Sequence, residues 1–148
     1  MSQHLLFDAA GIYLAAPAKY IKSLHEGLTV QPVAGTKAWF LGLAVVTGKL
    51  LPVTDVGAFY GRRACVGRTL ELEPSVGIAA LRVDQVFGFT DNEPTEIAAG
   101  AQHVAENDEN LTLTGQVIVD SQRVFRILDL VELVQSSDFI DIKEAQGA

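Results

Sequence analysis

The most reactive side chains of this sequence, three histidines and a single cysteine, lie far apart. His4, His25 and His103 have no second histidine, cysteine or carboxylate at the short spacing that metal sites use. Cys65 has no neighbouring base or recognisable motif that would activate a thiol. We therefore expect surface histidines, an inert cysteine within a strand, and no bound metal.

Asp55 is the carboxylate most suggestive of catalysis, because it ends an apolar strand. General acid–base catalysis needs a second ionisable group, and none is identifiable near Asp55. An aspartate before a short turn commonly accepts hydrogen bonds from the backbone amides that follow. The sequence therefore predicts that Asp55 caps a turn over residues 56–59 that ends at Gly61, and it favours neither an enzyme nor a cofactor.

Composition excludes several classes of protein. The chain has 148 residues, 49% of them hydrophobic, which fits one domain or two very small ones sharing a core. Its net charge of −7 would repel a phosphate backbone or an anionic membrane, so we expect no nucleic-acid partner. No basic residue precedes the apolar stretch 5–18, and no apolar run is long enough to span a bilayer. These observations predict a cytoplasmic protein without direct membrane insertion.

Short apolar runs alternate with turn residues along the chain, which is typical of an all-β barrel or sandwich. Residues 5–7 and 12–14 form one predicted hairpin, and residues 43–46 and 50–53 form another. Asp129 is predicted to cap a short helix that runs through Val134. The acidic stretch 91–110 is predicted to be a solvated connection between two halves, with a short helix at 97–104.

Backbone shape is the main content of residues 35–61. Gly42 and Gly48 permit a bend, a bulge or the close approach of another backbone, and Pro52 must lie where no ladder hydrogen bond is donated. An apolar strand with such an edge can present a surface to a partner. From the residues alone, we predict a β-barrel adaptor.

The runs WFLGL at residues 39–43 and GKLLPVTDV at 48–56 resemble the pattern of CheW-like coupling proteins. Further similar runs begin at Ile12, Val76 and Thr114, so the resemblance extends over most of the chain. Trp39, AFYG at 58–61 and FIDI at 139–142 are closer to the PilI-type branch of the family, which serves type IV pilus twitching systems.

The resemblance implies two small SH3/OB-like five-stranded β-barrels packed about a pseudo-twofold, with a short C-terminal helix. A single domain would cover residues 1–137, with a first barrel mainly at 20–85. The second barrel would lie mainly at 86–137 and include an N-terminal strand, and residues 138–148 would be a polar tail. Such proteins scaffold two-component signalling, in chemotaxis or twitching motility. One surface binds the regulatory domain of a CheA-like histidine kinase, and a groove between the barrels binds the cytoplasmic tip of a methyl-accepting chemoreceptor.

Carried over position by position, the resemblance implies one set of partner-binding residues: Ile21, Ser23, Leu24, Gly42, Leu43, Val45, Thr47, Gly48, Leu51 and Pro52. Five of these were expected to line one hydrophobic groove: Ile21, Leu24, Leu43, Val45 and Leu51. Several positions depart from the family pattern, with Ser23 replacing a glutamate, Val45 an asparagine, Thr47 an arginine and Leu81 an aspartate. Threonine cannot form the forked, charge-assisted bonds of arginine.

Three interpretations compete. The first is an adaptor that couples a receptor to a kinase. The second is a divergent regulator or decoy with the same fold that binds only one of these partners. The third, an enzyme on a small barrel, would need convergent ionisable residues, for which the sequence offers no candidates.

Overall fold

The computed structural model describes residues 3–96 and 111–144. The strands in these ranges are β1 (His4–Ala9), β2 (Ile12–Pro17), β3 (Ile21–His25), β4 (Phe40–Val46), β5 (Lys49–Asp55), β6 (Thr69–Leu72), β7 (Ala80–Arg82), β8 (Val86–Thr90), β9 (Thr95–Glu96), β10 (Leu113–Asp120) and β11 (Arg123–Leu128). The helices are α1 (Val56–Phe59), α2 (Leu130–Gln135) and α3 (Ser137–Ile140), with one 3-10 turn at Ala18–Tyr20.

The strands form two sheets, which confirms the all-β class. One sheet has five strands in the order β3-β6-β7-β5-β4, and the other has six in the order β8-β1-β2-β11-β10-β9. Among the described residues the second sheet has six strands where five were expected, because the N-terminus contributes the whole β1–β2 hairpin. Both predicted hairpins are confirmed. The domain boundaries stay a prediction.

Three hairpins turn through two residues that both have positive φ. These turns are Ala10-Gly11, Thr47-Gly48 and Ser121-Gln122. Two consecutive left-handed residues are the hallmark of a type I′ turn, whose twist matches that of the strands it joins. Glycine adopts this conformation without cost, whereas the β-branched Thr47 adopts it under strain. The turns set the register that decides which side chains face the core.

The largest core cluster contains residues from both sheets, including the fully buried Phe7, Leu14, Leu70 and Leu81. A smaller cluster on the five-stranded sheet contains Ala44, Leu51, Val53 and Ala80, with Leu28 and Val30 packed against it. Another small cluster belongs to the six-stranded sheet and contains Leu6, Ala15, Ile118, Phe125 and Ile127. Each sheet is therefore apolar on both faces, and the large cluster unites them.

Aspartates cap α1 and α2, as predicted. Asp55 accepts a hydrogen bond from the Ala58 amide at the start of α1, and Asp129 accepts one from the Glu132 amide at the start of α2. The segment after residue 137 is not only a polar tail, because α3 buries Phe139 in the large core cluster. Residues 97–110, where a short helix was predicted, lie outside the described residues. Within the described ranges, no helix is long and apolar enough to cross a membrane.

Candidate functional site

The residues predicted to bind partners fall into two groups at opposite edges of the five-stranded sheet. Ile21, Ser23 and Leu24 lie on β3, and the others lie on the β4–β5 hairpin. Two strands, β6 and β7, separate the two groups in the sheet order, and the single groove that would join them stays a prediction. Leu51 is buried in the cluster of the five-stranded sheet, so it supports the hairpin from inside.

The β4–β5 hairpin exposes an apolar pair that we call the hairpin patch, Val45 and Leu50. Their side chains are 67% and 62% exposed, and the two residues are cross-strand partners. Directly opposed apolar side chains stabilise a hairpin, but water contacts so large an exposed pair unless another protein covers it. Leu50 was not among the predicted site residues. Strand alternation, which pairs it with Val45, could have identified it.

The residues around the hairpin patch form its backbone framework. Leu43 exchanges two hydrogen bonds with Gln31, at 2.8 and 2.9 Å, so its amide and carbonyl point away from β5. Its partner on β5 is Pro52, which has no amide to donate, so the proline costs no ladder bond here. Gly42 has a φ of 133°, and a Cβ there would lie 2.0 Å from the Gln31 carbonyl oxygen. Gly42 is thus required for the close approach of the Gln31 backbone.

The turn of this hairpin carries the departure from the family pattern. Thr47 has a φ of 48° and Gly48 a φ of 77°, and the Thr47 hydroxyl donates to the Val46 carbonyl at 2.7 Å. The tip therefore presents a short neutral side chain. Leu81, another position where the family usually has a charged residue, is fully buried in the large core cluster. Its identity bears on packing and not on an exposed surface.

A charged cluster lies on β3 and its neighbour β6. His25 Nε2 is 2.8 Å from Glu71 Oε1, and Lys22 Nζ is 3.8 Å from Glu71 Oε2. Glu71 is the register partner of Ser23, so a carboxylate lies directly across the ladder from that serine. His25, expected at the surface, is half-buried and paired with Glu71. Glu71 was missed because the pairing of β3 with β6 is not evident from the sequence.

A groove of about 580 Å³ opens between the end of β3 and the edge strand β8, and we call it the inter-sheet groove. It is lined by Glu26, Gly27, Val66, Gly67, Arg68, Asp84, Gln85, Val86 and Phe87. Arg68 Nη2 lies 3.6 Å from Glu26 Oε1 on one wall. Ile21 and Leu24 pack against the large core cluster beside this groove and do not line it. The groove is mostly polar, with apolar contributions from Val86 and Phe87 on β8 and from Val66 in the loop before β6.

Asp84 holds the wall of the inter-sheet groove together. Its carboxylate accepts hydrogen bonds from the Ala10 amide at 2.7 Å and the Val66 amide at 3.0 Å, and it pairs with the Arg63 guanidinium at 3.0 Å. Burial alone would raise the pKa of Asp84, but the amides of Val66 and Ala10 and then Arg63 together lower it. The ionised side chain of Asp84 therefore connects the β1–β2 turn to the loop before β6 through these hydrogen bonds.

The remaining candidates for chemistry have structural roles. Asp55 accepts hydrogen bonds from the Ala58 and Cys65 amides and is buried. Cys65 lies outside any strand, and burial is the main cause that raises its thiol pKa to about 12. His4 was expected at the surface, but it is buried, and desolvation lowers the pKa of its imidazole. His103 lies outside the described residues, within which no group of histidine, cysteine and carboxylate side chains could hold a metal ion.

Comparisons with known proteins agree with this geometry. The model of the CheW-like domain matches residues 3–138. Protein PilI of Pseudomonas aeruginosa is 35% identical over 88 residues, which make up 56% of this chain and 49% of that protein. The matched region thus spans about half the length of that relative. The crystal structure of the scaffolding protein TtCheW from Thermoanaerobacter tengcongensis superposes with a TM-score of 0.71 at 16% identity, covering 93% of this chain and 94% of that one.

Proposed function

We propose, because this chain belongs to the CheW-like domain family, that it is a non-enzymatic cytoplasmic adaptor that couples a chemoreceptor to a CheA-like histidine kinase. The similarity to PilI favours a system that controls twitching motility. The observation that carries the proposal is the hairpin patch: two large apolar side chains that are exposed side by side at the end of the β4–β5 hairpin.

The hairpin patch is the proposed surface for the kinase regulatory domain. Interfaces between proteins place apolar side chains at their centre and polar groups at the rim. Val45 and Leu50 would form that centre, and the exposed Lys49 and Thr47 would form the rim. Gly42 and Gln31 hold β4 rigid from the other side, so little order has to be gained on binding.

The inter-sheet groove is the proposed surface for the receptor tip. It lies between edge strands of the two sheets and ends at Glu26, directly after β3. Val86 and Phe87 supply apolar surface on one wall, and Glu26, Arg68 and Gln85 supply polar groups. A helical receptor tip would place an apolar stripe against the first wall and polar side chains against the others.

The alternative is a regulator that binds only one of the two partners. The short neutral side chain at Thr47 supports it, because the family arginine at that position would reach a partner with several charged hydrogen bonds. On this alternative the kinase or the receptor binds normally and the other does not bind at all.

The kinase surface is tested with Leu50→Asp in a binding assay against the CheA-like regulatory domain from the same genome. An aspartate at the centre of an interface must be desolvated without a partner, so affinity should fall at least about 100-fold. Ile78→Asp is the matched control, because Ile78 is 61% exposed and lies outside both proposed surfaces. Equal affinity of the two variants, or no binding by the unmodified protein, would contradict the proposal.

The receptor surface is tested with Arg68→Glu against the cytoplasmic fragment of the receptor. Reversing a charge on one wall of the groove should weaken binding by about tenfold and make it less sensitive to salt. Lys49→Glu is the control, because this exposed lysine lies on the hairpin and away from the groove. A larger loss of receptor affinity with Lys49→Glu than with Arg68→Glu would show that the receptor binds the hairpin and not the groove.

A further inference from the structure

The segment after α2 folds back onto the loop that leads into β4. We call residues 137–144 the C-terminal strap. The Lys37 amide donates to the Ile142 carbonyl at 2.7 Å, and the Glu144 amide donates to the Gly35 carbonyl at 2.9 Å. Thr36 and Lys143 form an antiparallel bridge between these two bonds. The strap therefore binds the loop as a short added strand, using backbone hydrogen bonds.

One aromatic side chain anchors the C-terminal strap. Phe139 is 8% exposed, and its ring lies 6.4 Å from the Trp39 ring and 5.6 Å from the Phe59 ring, measured between centroids. Trp39 and Phe59 also contact each other edge to face at 4.9 Å. The next residue, Ile140, is 63% exposed. A single buried ring thus connects the strap to both ends of the β4–β5 hairpin.

A charge pair completes the contact. Lys37 Nζ lies 3.5 Å from Asp141 Oδ2 and 6.0 Å from the Trp39 ring centroid. Lys37 therefore forms an ion pair with the Asp141 carboxylate of the strap while its ammonium group lies near the Trp39 ring. The chemistry recognised is an aromatic side chain on a short helix, followed two residues later by a carboxylate and then by a segment that pairs as a strand.

We propose that residues 35–39 and Phe59 form a peptide-docking groove, the strap groove, whose ligand is the chain's own C-terminal strap held in a displaceable way. Ser136 separates α2 from α3, and its hydroxyl donates to the Leu133 carbonyl at 2.8 Å and accepts from the Phe139 amide at 3.3 Å. Moving the strap away at this junction therefore breaks one side-chain hydrogen bond, the one from the Phe139 amide. Because the strap is tethered, its effective concentration is of the order of millimolar, so a competing segment must bind well to displace it.

Release of the strap affects the hairpin through the loop it holds. Gln31, earlier in the same loop, pairs with Leu43 on β4. Freeing residues 35–39 therefore loosens the segment that supports the β4 edge. The strap groove itself does not depend on the proposed function, whereas an effect of the strap on kinase affinity rests on it.

The first experiment uses Phe139→Ala in the full-length chain. Trp39 is the only tryptophan, so its fluorescence reports directly on the strap groove. Loss of the anchor should shift the Trp39 emission to longer wavelength and speed hydrogen exchange of the Lys37 amide by about tenfold or more, with little change at the β1–β2 ladder. Ile140→Ala, one residue away and exposed, should change neither. Identical behaviour of the two variants would overturn the proposal.

The second experiment supplies the ligand in trans. A peptide of residues 136–144 added to the Phe139→Ala protein should restore the Trp39 emission in a saturable manner, and a peptide in which the phenylalanine is alanine should not. Failure of the first peptide to bind would overturn the proposal. If Phe139→Ala does not fold, hydrogen exchange on the unmodified protein decides: Lys37 must exchange faster than Leu43, and equal exchange through global unfolding would overturn a displaceable strap.

Discussion

The hairpin β4–β5 with α1 and the hairpin β10–β11 with α2 share one plan. Each turns through two left-handed residues, and each ends in an aspartate that caps a short helix. Each also exposes an apolar cross-strand pair beside the turn, Val45 with Leu50 in the first and Val119 with Val124 in the second. The same local pattern has therefore produced the same local geometry twice.

The surroundings of the two hairpins differ. Asp55 is 1% exposed and also accepts bonds from the Cys65 amide, whereas Asp129 is half-buried and caps α2 alone. Gly42 lies against the backbone of Gln31, whereas a side chain at Gly115 would meet open space. The comparison teaches that local sequence sets the shape of a hairpin, while neighbouring loops decide how much stability each position carries.

The largest expected effect concerns Cys65. Its amide bonds to Asp55 at the end of the first hairpin, and we expect its thiol to react at very different rates in the folded and the unfolded chain. Its pKa is raised from 9.0 to about 12, which lowers the thiolate fraction at pH 8, while the greater nucleophilicity of that thiolate offsets part of the loss. Together with burial, this should make the native thiol react at least about 50-fold more slowly than the thiol of the unfolded chain. The rate of modification in buffer and in denaturant measures this. A fast native reaction that does not depend on denaturant would show that the Asp55 loop is open.

Asp55→Ala should destabilise the protein by about 3–4 kcal/mol, because two backbone amides would be left without an acceptor in a buried site. Asp129→Ala, the matched change in the second hairpin, should cost about 1 kcal/mol, the usual value of a helix N-cap. Urea unfolding of both variants measures the difference. Equal losses would show that the burial of Asp55 contributes nothing.

Gly42→Ala should cost about 2–3 kcal/mol, because the new methyl group would collide with the Gln31 backbone at a positive φ. Gly115→Ala, also at a positive φ but facing open space, should cost about 1 kcal/mol. Urea unfolding of both variants measures the two losses of stability. A larger loss at Gly115 would contradict the role assigned to Gln31.

Thr47→Asn should stabilise the protein by about 0.5–1 kcal/mol, since asparagine adopts the left-handed conformation more readily than a β-branched residue. Ser121→Asn at the equivalent turn position should gain less, because serine is not β-branched. Thermal unfolding of the two variants ranks them. A loss of stability at Thr47 would mean that its hydroxyl bond to Val46 outweighs the strain.

Much of the fold could be predicted because its determinants are local. The β1–β2 and β4–β5 hairpins follow from glycine-containing turns between apolar runs, and the Asp55 and Asp129 caps follow from aspartates that end such runs. The pairing of Ser23 with Glu71 could not be predicted, since it joins strands far apart in the chain. The burial of His4 and Phe139 was missed for the same reason.

By itself, the sequence determined the all-β class, the family and the position of the hairpin that carries Val45. Alternation, turn chemistry and capping act over a few residues, so they can be read without knowing the neighbours. The tertiary structure alone decided that the predicted residues lie at two edges of a sheet, that Leu50 completes the hairpin patch, and that the C-terminal strap binds beside Trp39. Burial and charge pairing depend on segments distant in sequence, and only the folded chain brings those segments together.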